Sequence, residues 1–369
     1  MSLMNNTGMK RLFLLTAAVI CAFLASCSGN SGDEGMLVIS ADKTDIQTGT
    51  GEIVTFTVRY GSEDVSTSAD MVISYTSASG DDIYSLEPGV NTFSSTVPGS
   101  YTFTASYKSG TAEIVSENSV EVTVSGEQIS YAKKAYVMQF TAVGCPNCPI
   151  MSTNLSLMEE DYPDDFVVAA YHISYNAIQY PDPMVTSIGE KYRQEFDVTG
   201  IPRAHFDMHE DRIPADLTSL ENALEQSLSE KPFCGVAIES EYDGTARHLS
   251  VTAKVRANRS EVCRYLIVLV EDNIEYDQLS APVTPYYHNN VVREVLANNI
   301  YGERFNSGRP LVPGVEYTSS RAVDIPASWN VENMRIIVAV QYEGSDGVTY
   351  YTDNANVCRL GESADYNIT

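Results

Sequence analysis

Two cysteines separated by two residues form the pattern in this sequence that could do chemistry. The run from Cys145 to Cys148 reads CPNC, follows the apolar stretch 136–140 and precedes a helical pattern. Helix N-terminal N–H groups and the helix dipole stabilise a thiolate, and a two-residue spacer lets the second thiol attack a mixed disulfide made by the first. We therefore predict that Cys145 is the nucleophile and Cys148 the resolving thiol.

The two residues between these cysteines are predicted to contact the substrate. Pro146 suits the first turn of a helix, because the N–H that proline lacks has no partner there in any case. Asn147 follows it and completes the spacer. The sequence thus predicts a helix that opens within the CPNC run.

A second element, Gly200-Ile201-Pro202, stands just before the strand pattern 204–207. Together with the CPNC run it resembles the thioredoxin superfamily, in which a cis-proline preceded by Ile, Val or Thr faces the two cysteines. The resemblance implies that Pro202 is this cis-proline. It also implies that Ile201 supplies backbone groups that pair with a substrate strand.

Two positions depart from the thioredoxin pattern. Gln139 lies where that family has a buried carboxylate that accepts a proton from the resolving thiol, and Gly144 replaces the usual tryptophan before the first cysteine. An amide cannot act as a base, so the departure predicts slow redox chemistry or a site that has drifted to another use.

Other readings of the cysteine pair remain open. His205 and His209 could complete a Cys2His2 zinc site, but their separation from Cys148 is far longer than in a compact zinc finger, so no metal site is predicted. A structural disulfide in a fold without turnover is the more serious alternative. No cofactor is implied.

The surrounding patterns divide the chain into regions. Alternating strands separated by Gly and Pro from Leu37 to Val124 predict an antiparallel β-sandwich, and the run 98–103 resembles bacterial immunoglobulin-like domains. From about Tyr131, strands alternate with helices near 188–196 and 217–228, which indicates an α/β sheet. After Pro232 strands return, with one short helix predicted at 290–297.

The predicted fold class is therefore multidomain, with all-β and α/β parts. It comprises an immunoglobulin-like β-sandwich at 36–126, a thioredoxin-like α/β domain at 131–231 and a jelly-roll-like C-terminal β-sandwich at 232–369. Residues 1–26 are predicted to be a signal peptide, and residues 27–35 a flexible tether.

The N-terminal segment has the features of a lipoprotein signal. Lys10 and Arg11 precede an apolar run from Leu12 to Leu24 that is too short to span a bilayer stably. The following Ala25-Ser26-Cys27 completes a resemblance to the bacterial lipobox, which implies a diacylglycerol anchor on Cys27. An ordinary signal peptide is the alternative.

Charge and the remaining cysteines set further limits. The chain has 23 basic and 49 acidic residues, for a net charge of −26, and such a surface repels nucleic acid. No nucleic-acid partner is predicted. An exported compartment favours one disulfide among Cys234, Cys263 and Cys358, with three possible pairings.

The order of these regions, together with the run 287–293 (YHNNVVR), resembles the outer-membrane-protein-28-related family of Gram-negative lipoproteins. The resemblance covers about Ala132 to the C-terminus and implies an outer-membrane lipoprotein, on the periplasmic face or the cell surface. We expect thiol–disulfide exchange with exported or surface proteins. The alternative is a surface binding protein or adhesin in which the fold is a scaffold.

Overall fold

The computed structural model describes residues 35–369 except 49, 78–82, 127 and 210. The predicted signal peptide and the anchor residue Cys27 lie outside the described residues. Within the described part, none of the helices combines the length and the apolar character that crossing a membrane requires.

The first region is a β-sandwich, as the alternating pattern predicts. In β3, Val54, Phe56 and Val58 are buried, while Thr55 is exposed. One sheet contains β1, β3, β4 and β7, and the other contains β2, β5, β6, β8, β9 and β10. The strands are β1 (Leu37–Ala41), β2 (Asp45–Gln47), β3 (Val54–Tyr60), β4 (Glu63–Asp64), β5 (Met71–Ser77), β6 (Ile83–Ser85), β7 (Thr92–Phe93), β8 (Gly99–Ser109), β9 (Ala112–Val115) and β10 (Val120–Ser125).

The next segment alternates strands and helices. It consists of β11 (Ala135–Thr141), α1 (Cys148–Asp161), β12 (Phe166–His172), α2 (Ser187–Glu195), β13 (Arg203–Phe206) and α3 (Leu217–Ser229). β11 lies parallel to β12 and antiparallel to β13. Side chains of α1 and α3 pack on one face of these strands, and Tyr192 of α2 packs on the other. The two helices predicted near 188–196 and 217–228 are confirmed.

The last part of the described chain contributes ten strands. They are β14 (Cys234–Asp243), β15 (His248–Ala257), β16 (Cys263–Glu271), β17 (Ile274–Glu275), β18 (Tyr287–His288), β19 (Val291–Val295), β20 (Glu303–Arg304), β21 (Glu316–Asp324), β22 (Met334–Glu343) and β23 (Tyr350–Arg359). β14, β15 and β21 form a three-stranded sheet, and β17 pairs with β18. The three-stranded sheet shares a core with β16 and β22, where Val251 and Ile267 are fully buried.

A single eight-stranded sheet joins the α/β segment to the C-terminal strands. Its order is β13-β11-β12-β19-β16-β22-β23, with β20 paired to β16. The connection between the two parts is the parallel pairing of β12 with β19, where Ala170 lies opposite Val291. β16 and β22 are buried on both faces, which is typical of central strands.

The predicted fold class is therefore wrong in its central and C-terminal parts. The structure is mostly β, and its described residues include three α-helices. No separate thioredoxin-like α/β domain and no jelly-roll-like C-terminal sandwich is present in the described part, because one sheet runs through both predicted regions. The short helix predicted at 290–297 is also wrong, since β19 occupies that position and pairs with β12 and β16.

A buried ion pair joins the segment before β11 to the residue that follows β13. Lys133 Nζ lies 3.0 Å from Asp207 Oδ2, and both side chains are nearly inaccessible. The same ammonium donates hydrogen bonds to the carbonyls of Thr352 and Asp353 in β23. Asp207 in turn accepts a hydrogen bond from the backbone N–H of Tyr136. The Lys133 ammonium and the Asp207 carboxylate thus connect β11, β13 and β23, which are far apart in sequence.

Candidate functional site

Cys145 and Cys148 are joined by a disulfide, with 5.4 Å between their Cα atoms. Helix α1 begins at Cys148 after Asn147, and the proline of its first turn is Pro149. The expectation that Pro146 lies in the first helical turn is therefore wrong. Pro146 lies in a short turn in which the Cys148 N–H donates to the Cys145 carbonyl at 3.4 Å. Cys145 thus lies just outside the helix, and Cys148 is fixed inside it.

The predicted substrate-binding residue Ile201 packs against the disulfide. Its side chain and that of Tyr175 contact the cluster formed by Ala142 and the two cysteines. The Ile201–Pro202 peptide bond is cis. Within the described part of the chain, neither the N–H nor the carbonyl of Ile201 has a hydrogen-bond partner. Among the described residues, a residue whose backbone groups have no hydrogen-bond partner therefore packs its side chain against the cysteine cluster.

A segment from the C-terminal part of the chain is hydrogen-bonded to the backbone beside the disulfide. We call residues 276–287 the strap. Gln278 Nε2 donates to the Cys145 carbonyl at 2.9 Å, and the Leu279 N–H donates to the Val143 carbonyl at 2.9 Å. Tyr276 fixes the strap on its other side through a hydrogen bond to the Pro181 carbonyl. The strap is thus bonded to the backbone of the turn that carries Cys145, and each cysteine is only 1% exposed.

Gln139 lies behind the start of α1, on the face of the sheet that α1 covers. Its side chain is 3% exposed, and its Nε2 atom donates to Ser152 Oγ at 3.0 Å. Both residues line a cavity of about 240 Å³, and residues of the strap line it from another side. The lining is about equally polar and apolar, and its polar residues include Thr141, His172, Tyr286, His288 and Asn289.

His172 in this cavity is held by a carboxylate. Its Nδ1 atom lies 2.7 Å from Asp182 Oδ2, and both side chains are almost fully buried. Burial raises the pKa of Asp182, but hydrogen bonds from His172 and from the Val143 and Met184 N–H groups outweigh it, so the net pKa is below the ordinary value. Asp182 is therefore ionised at neutral pH.

His288 lines the same cavity from the strap side. Its side chain is 7% exposed, and its Nε2 atom is buried without a hydrogen-bond partner among the described residues. Burial, followed by the neighbouring His172, lowers the pKa of His288 to about 4. The ring is neutral at pH 7. Sequence patterns gave no signal for Asp182 or Gln278, and His288 appeared only within the run 287–293 that carries the family resemblance, with no role at the cysteine site.

The zinc alternative does not fit the geometry. The two cysteines are disulfide-bonded, and His205 Nδ1 donates to the His209 backbone carbonyl. Across the described residues, no group of three or more His, Cys, Asp and Glu side chains is placed to hold a metal ion. His205 is a core residue that contacts Phe140 and Phe196.

Because His205 is fully buried, it is expected to make the stability of the fold depend on pH. Burial lowers its pKa to about 4, whereas an unfolded histidine has a pKa of about 6.5. The unfolded chain therefore binds the proton first, and stability is lost as pH falls from about 6.5 towards 4. We expect the loss from pH 7 to pH 5 to be about 2 kcal/mol smaller in His205→Gln than in the wild type, as measured by urea unfolding.

A matched control for this prediction is His248→Gln, since His248 is exposed and paired with the exposed Asp324. The control should keep the pH dependence of the wild type. Equal pH dependence in wild type and His205→Gln would show that His205 does not take up the proton.

The remaining three cysteines are free and buried. The expected disulfide among Cys234, Cys263 and Cys358 is therefore wrong. All three lie in the core between the three-stranded and eight-stranded sheets, where they pack as small apolar side chains. Burial raises the pKa of Cys358 to about 12, so this thiol does not ionise at neutral pH.

Residues 189–356 match the family of outer membrane protein Omp28. The matched region begins in α2, ends in β23 and includes the strap and His288, but it does not include the Cys145–Cys148 pair. The matched family is one of outer membrane proteins. No curated protein matches this chain.

Solved structures resemble the chain at low sequence identity. HBP35 of Porphyromonas gingivalis is 12% identical with a TM-score of 0.53, and the similarity covers 63% of this chain and 76% of that one. A protein from Agrobacterium tumefaciens is 17% identical with a TM-score of 0.43, covering 65% of this chain and 98% of that one. At these identities the likeness to HBP35 concerns the fold alone.

Proposed function

We propose that this chain is an outer-membrane lipoprotein whose Cys145–Cys148 pair exchanges disulfides with exported or surface proteins. The observation that carries the proposal is the position of the pair. The disulfide lies at the start of α1, and the unpaired backbone of Ile201 lies against it. A helix start stabilises a thiolate, and unpaired backbone groups bind an extended peptide.

The exchange proceeds in two balanced steps. The Cys145 thiolate attacks a disulfide of the client, forms a mixed disulfide with one client sulfur and releases the other as a thiolate. The Cys148 thiolate then attacks the Cys145 sulfur, which restores the Cys145–Cys148 disulfide and releases the second client thiolate. Oxidation of a client dithiol runs through the same steps in reverse. Cys145 is the client-facing thiol because it lies in the turn outside α1.

Client binding uses the free N–H and carbonyl of Ile201. An extended client segment would pair with them in the manner of an added strand. Exposed apolar side chains are available nearby, since Ile150 lies two residues after Cys148 and Ile178 lies in the loop that carries Tyr175. These features favour unfolded or extended segments as clients rather than compact surfaces.

The membrane attachment in this proposal is the lipid on Cys27. The match of residues 189–356 to a family of outer membrane proteins supports an outer-membrane location. The complete lipobox pattern supports anchoring through the lipid.

A surface binding protein or adhesin with a structural disulfide is the second candidate. The observation that favours it is the 1% exposure of both cysteines, because a catalytic disulfide must be reached by its client. Under our proposal the strap opens to admit the client, whereas under the second candidate it stays closed.

Trapping of intermediates separates the two functions. In Cys148→Ala the second step is missing, so mixed disulfides between Cys145 and client proteins should accumulate in cells. They would be seen by acid quenching, alkylation and non-reducing electrophoresis, with mass spectrometry of the peptide that contains Cys145. Cys145→Ala/Cys148→Ala should trap none, and Cys263→Ala, which removes a buried free thiol, should behave as the wild type.

The absence of adducts in Cys148→Ala, or equal adducts in the double variant, would overturn the exchange function. Either result would leave the binding-protein function as the better account of the fold.

A further inference from the structure

His172 and His288 lie in edge-to-face contact in the cavity behind α1. Their ring centres are 5.3 Å apart, and the ring planes meet at 69°. The side chains are 2% and 7% exposed, and both line the cavity. One comes from the end of β12 and the other from β18, so the fold brings together two imidazoles that are remote in sequence.

The environment of each ring leaves one nitrogen for a ligand. His172 Nδ1 lies 2.7 Å from Asp182 Oδ2, so this nitrogen is engaged by the carboxylate and Nε2 is the nitrogen of the ring that remains for a ligand. A carboxylate behind the ring is the contact that orients metal-binding histidines in many proteins. Among the described residues, His288 Nε2 has no hydrogen-bond partner although it is buried, whereas buried polar atoms nearly always have one.

We propose that His172 and His288 bind one transition-metal ion, represented by Zn²⁺, through their Nε2 atoms. Imidazole nitrogen suits Zn²⁺ and Cu²⁺. Two Zn–N bonds of about 2.0–2.1 Å in tetrahedral geometry place the ring centres roughly 5 Å apart, which agrees with the 5.3 Å observed. Thr141 and Gln139 line the same cavity and, with water, can supply oxygen to the remaining positions.

The number of ligands that the protein supplies indicates what kind of metal site this is. The described residues contain no cluster of three or more His, Cys, Asp or Glu side chains, so the protein supplies two strong ligands. Such a site keeps open positions, as exchangeable and catalytic sites do, whereas structural zinc sites are closed by four protein ligands. The inference is independent of disulfide exchange, because neither sulfur is a ligand.

Titration of Zn²⁺ into the oxidised, metal-free full-length protein tests the proposal by calorimetry. We expect one ion per chain. His172→Asn and His288→Asn should each weaken binding by at least tenfold, and Asp182→Asn by about ten- to a hundredfold. His248→Asn, which changes an exposed histidine outside the cavity, should bind as the wild type does.

A measurement on the wild-type chain tests the proposal even if the variants do not fold. The chain has five histidines, and ¹⁵N resonances of their rings report which nitrogens the ion contacts. Zn²⁺ should shift the Nε2 signals of His172 and His288 and leave those of the other three unchanged. Two results would overturn the proposal. One is the absence of saturable Zn²⁺ binding, and the other is a set of shifts confined to histidines other than His172 and His288.

Discussion

Replacing Lys133 with methionine is expected to lower the free energy of unfolding by about 3–5 kcal/mol. The substitution keeps the apolar stem but removes the ammonium that lies 3.0 Å from Asp207. It would leave a buried carboxylate without its cation, and the Thr352 and Asp353 carbonyls without their donor. Breaking one side of a buried pair costs more than the pair contributes, because the remaining charge stays desolvated.

Urea unfolding followed by circular dichroism measures this effect. The matched control is Lys254→Met, since Lys254 pairs with Glu239 at the surface and the loss should be below about 1 kcal/mol. Adding Asp207→Asn to Lys133→Met should recover part of the loss. A Lys133→Met protein as stable as the control would show that the buried pair does not hold the sheet together.

Replacing Gln278 with alanine is expected to accelerate reduction of the Cys145–Cys148 disulfide by about five- to thirtyfold. Gln278 Nε2 donates to the carbonyls of Cys145 and Leu279. Losing these bonds destabilises the closed strap by about 1–2 kcal/mol, which is a factor of about 5–30 in the population of the open form. Because both cysteines are 1% exposed in the structure, we expect the reductant to reach the sulfur atoms through the open form.

The rate is measured with dithiothreitol under conditions in which reduction is slow relative to opening and closing. Gln226→Ala is the control, because Gln226 is an exposed glutamine on α3 and its removal should leave the rate unchanged. Equal rates for Gln278→Ala and the control would show that the strap does not limit access to the disulfide.

Local patterns predicted local structure well. Helices α2 and α3 follow from their apolar spacing, and Thr186 and Asp216 cap them through side-chain hydrogen bonds to backbone N–H groups. The helix predicted at 290–297 is wrong because the valines of this run are compatible with a buried helix as well as with a strand. Its pairing with β12 and β16, which decides the matter, involves residues far away in the sequence.

The candidate site was predictable only where its residues are contiguous. The CPNC run and Ile201 carry patterns that can be read from the sequence, and the structure places them together. The metal-binding pair has no such pattern. His172 ends β12, Asp182 lies in the following loop and His288 belongs to a two-residue strand, so only the folded sheet shows that they meet.

The sequence partners of the cysteine segment are synthesised late. β12 pairs with β19 on the side opposite β11. The carbonyls that accept hydrogen bonds from Lys133 belong to residues 352 and 353, about 220 positions further along the chain. Pairings between such distant segments form slowly, because long loops must close before the contacts are made. Cys145 and Cys148 emerge well before the strap does, and oxidants can reach both thiols during that interval. The thiols therefore have time to pair with each other or with another protein before the native cover closes over them.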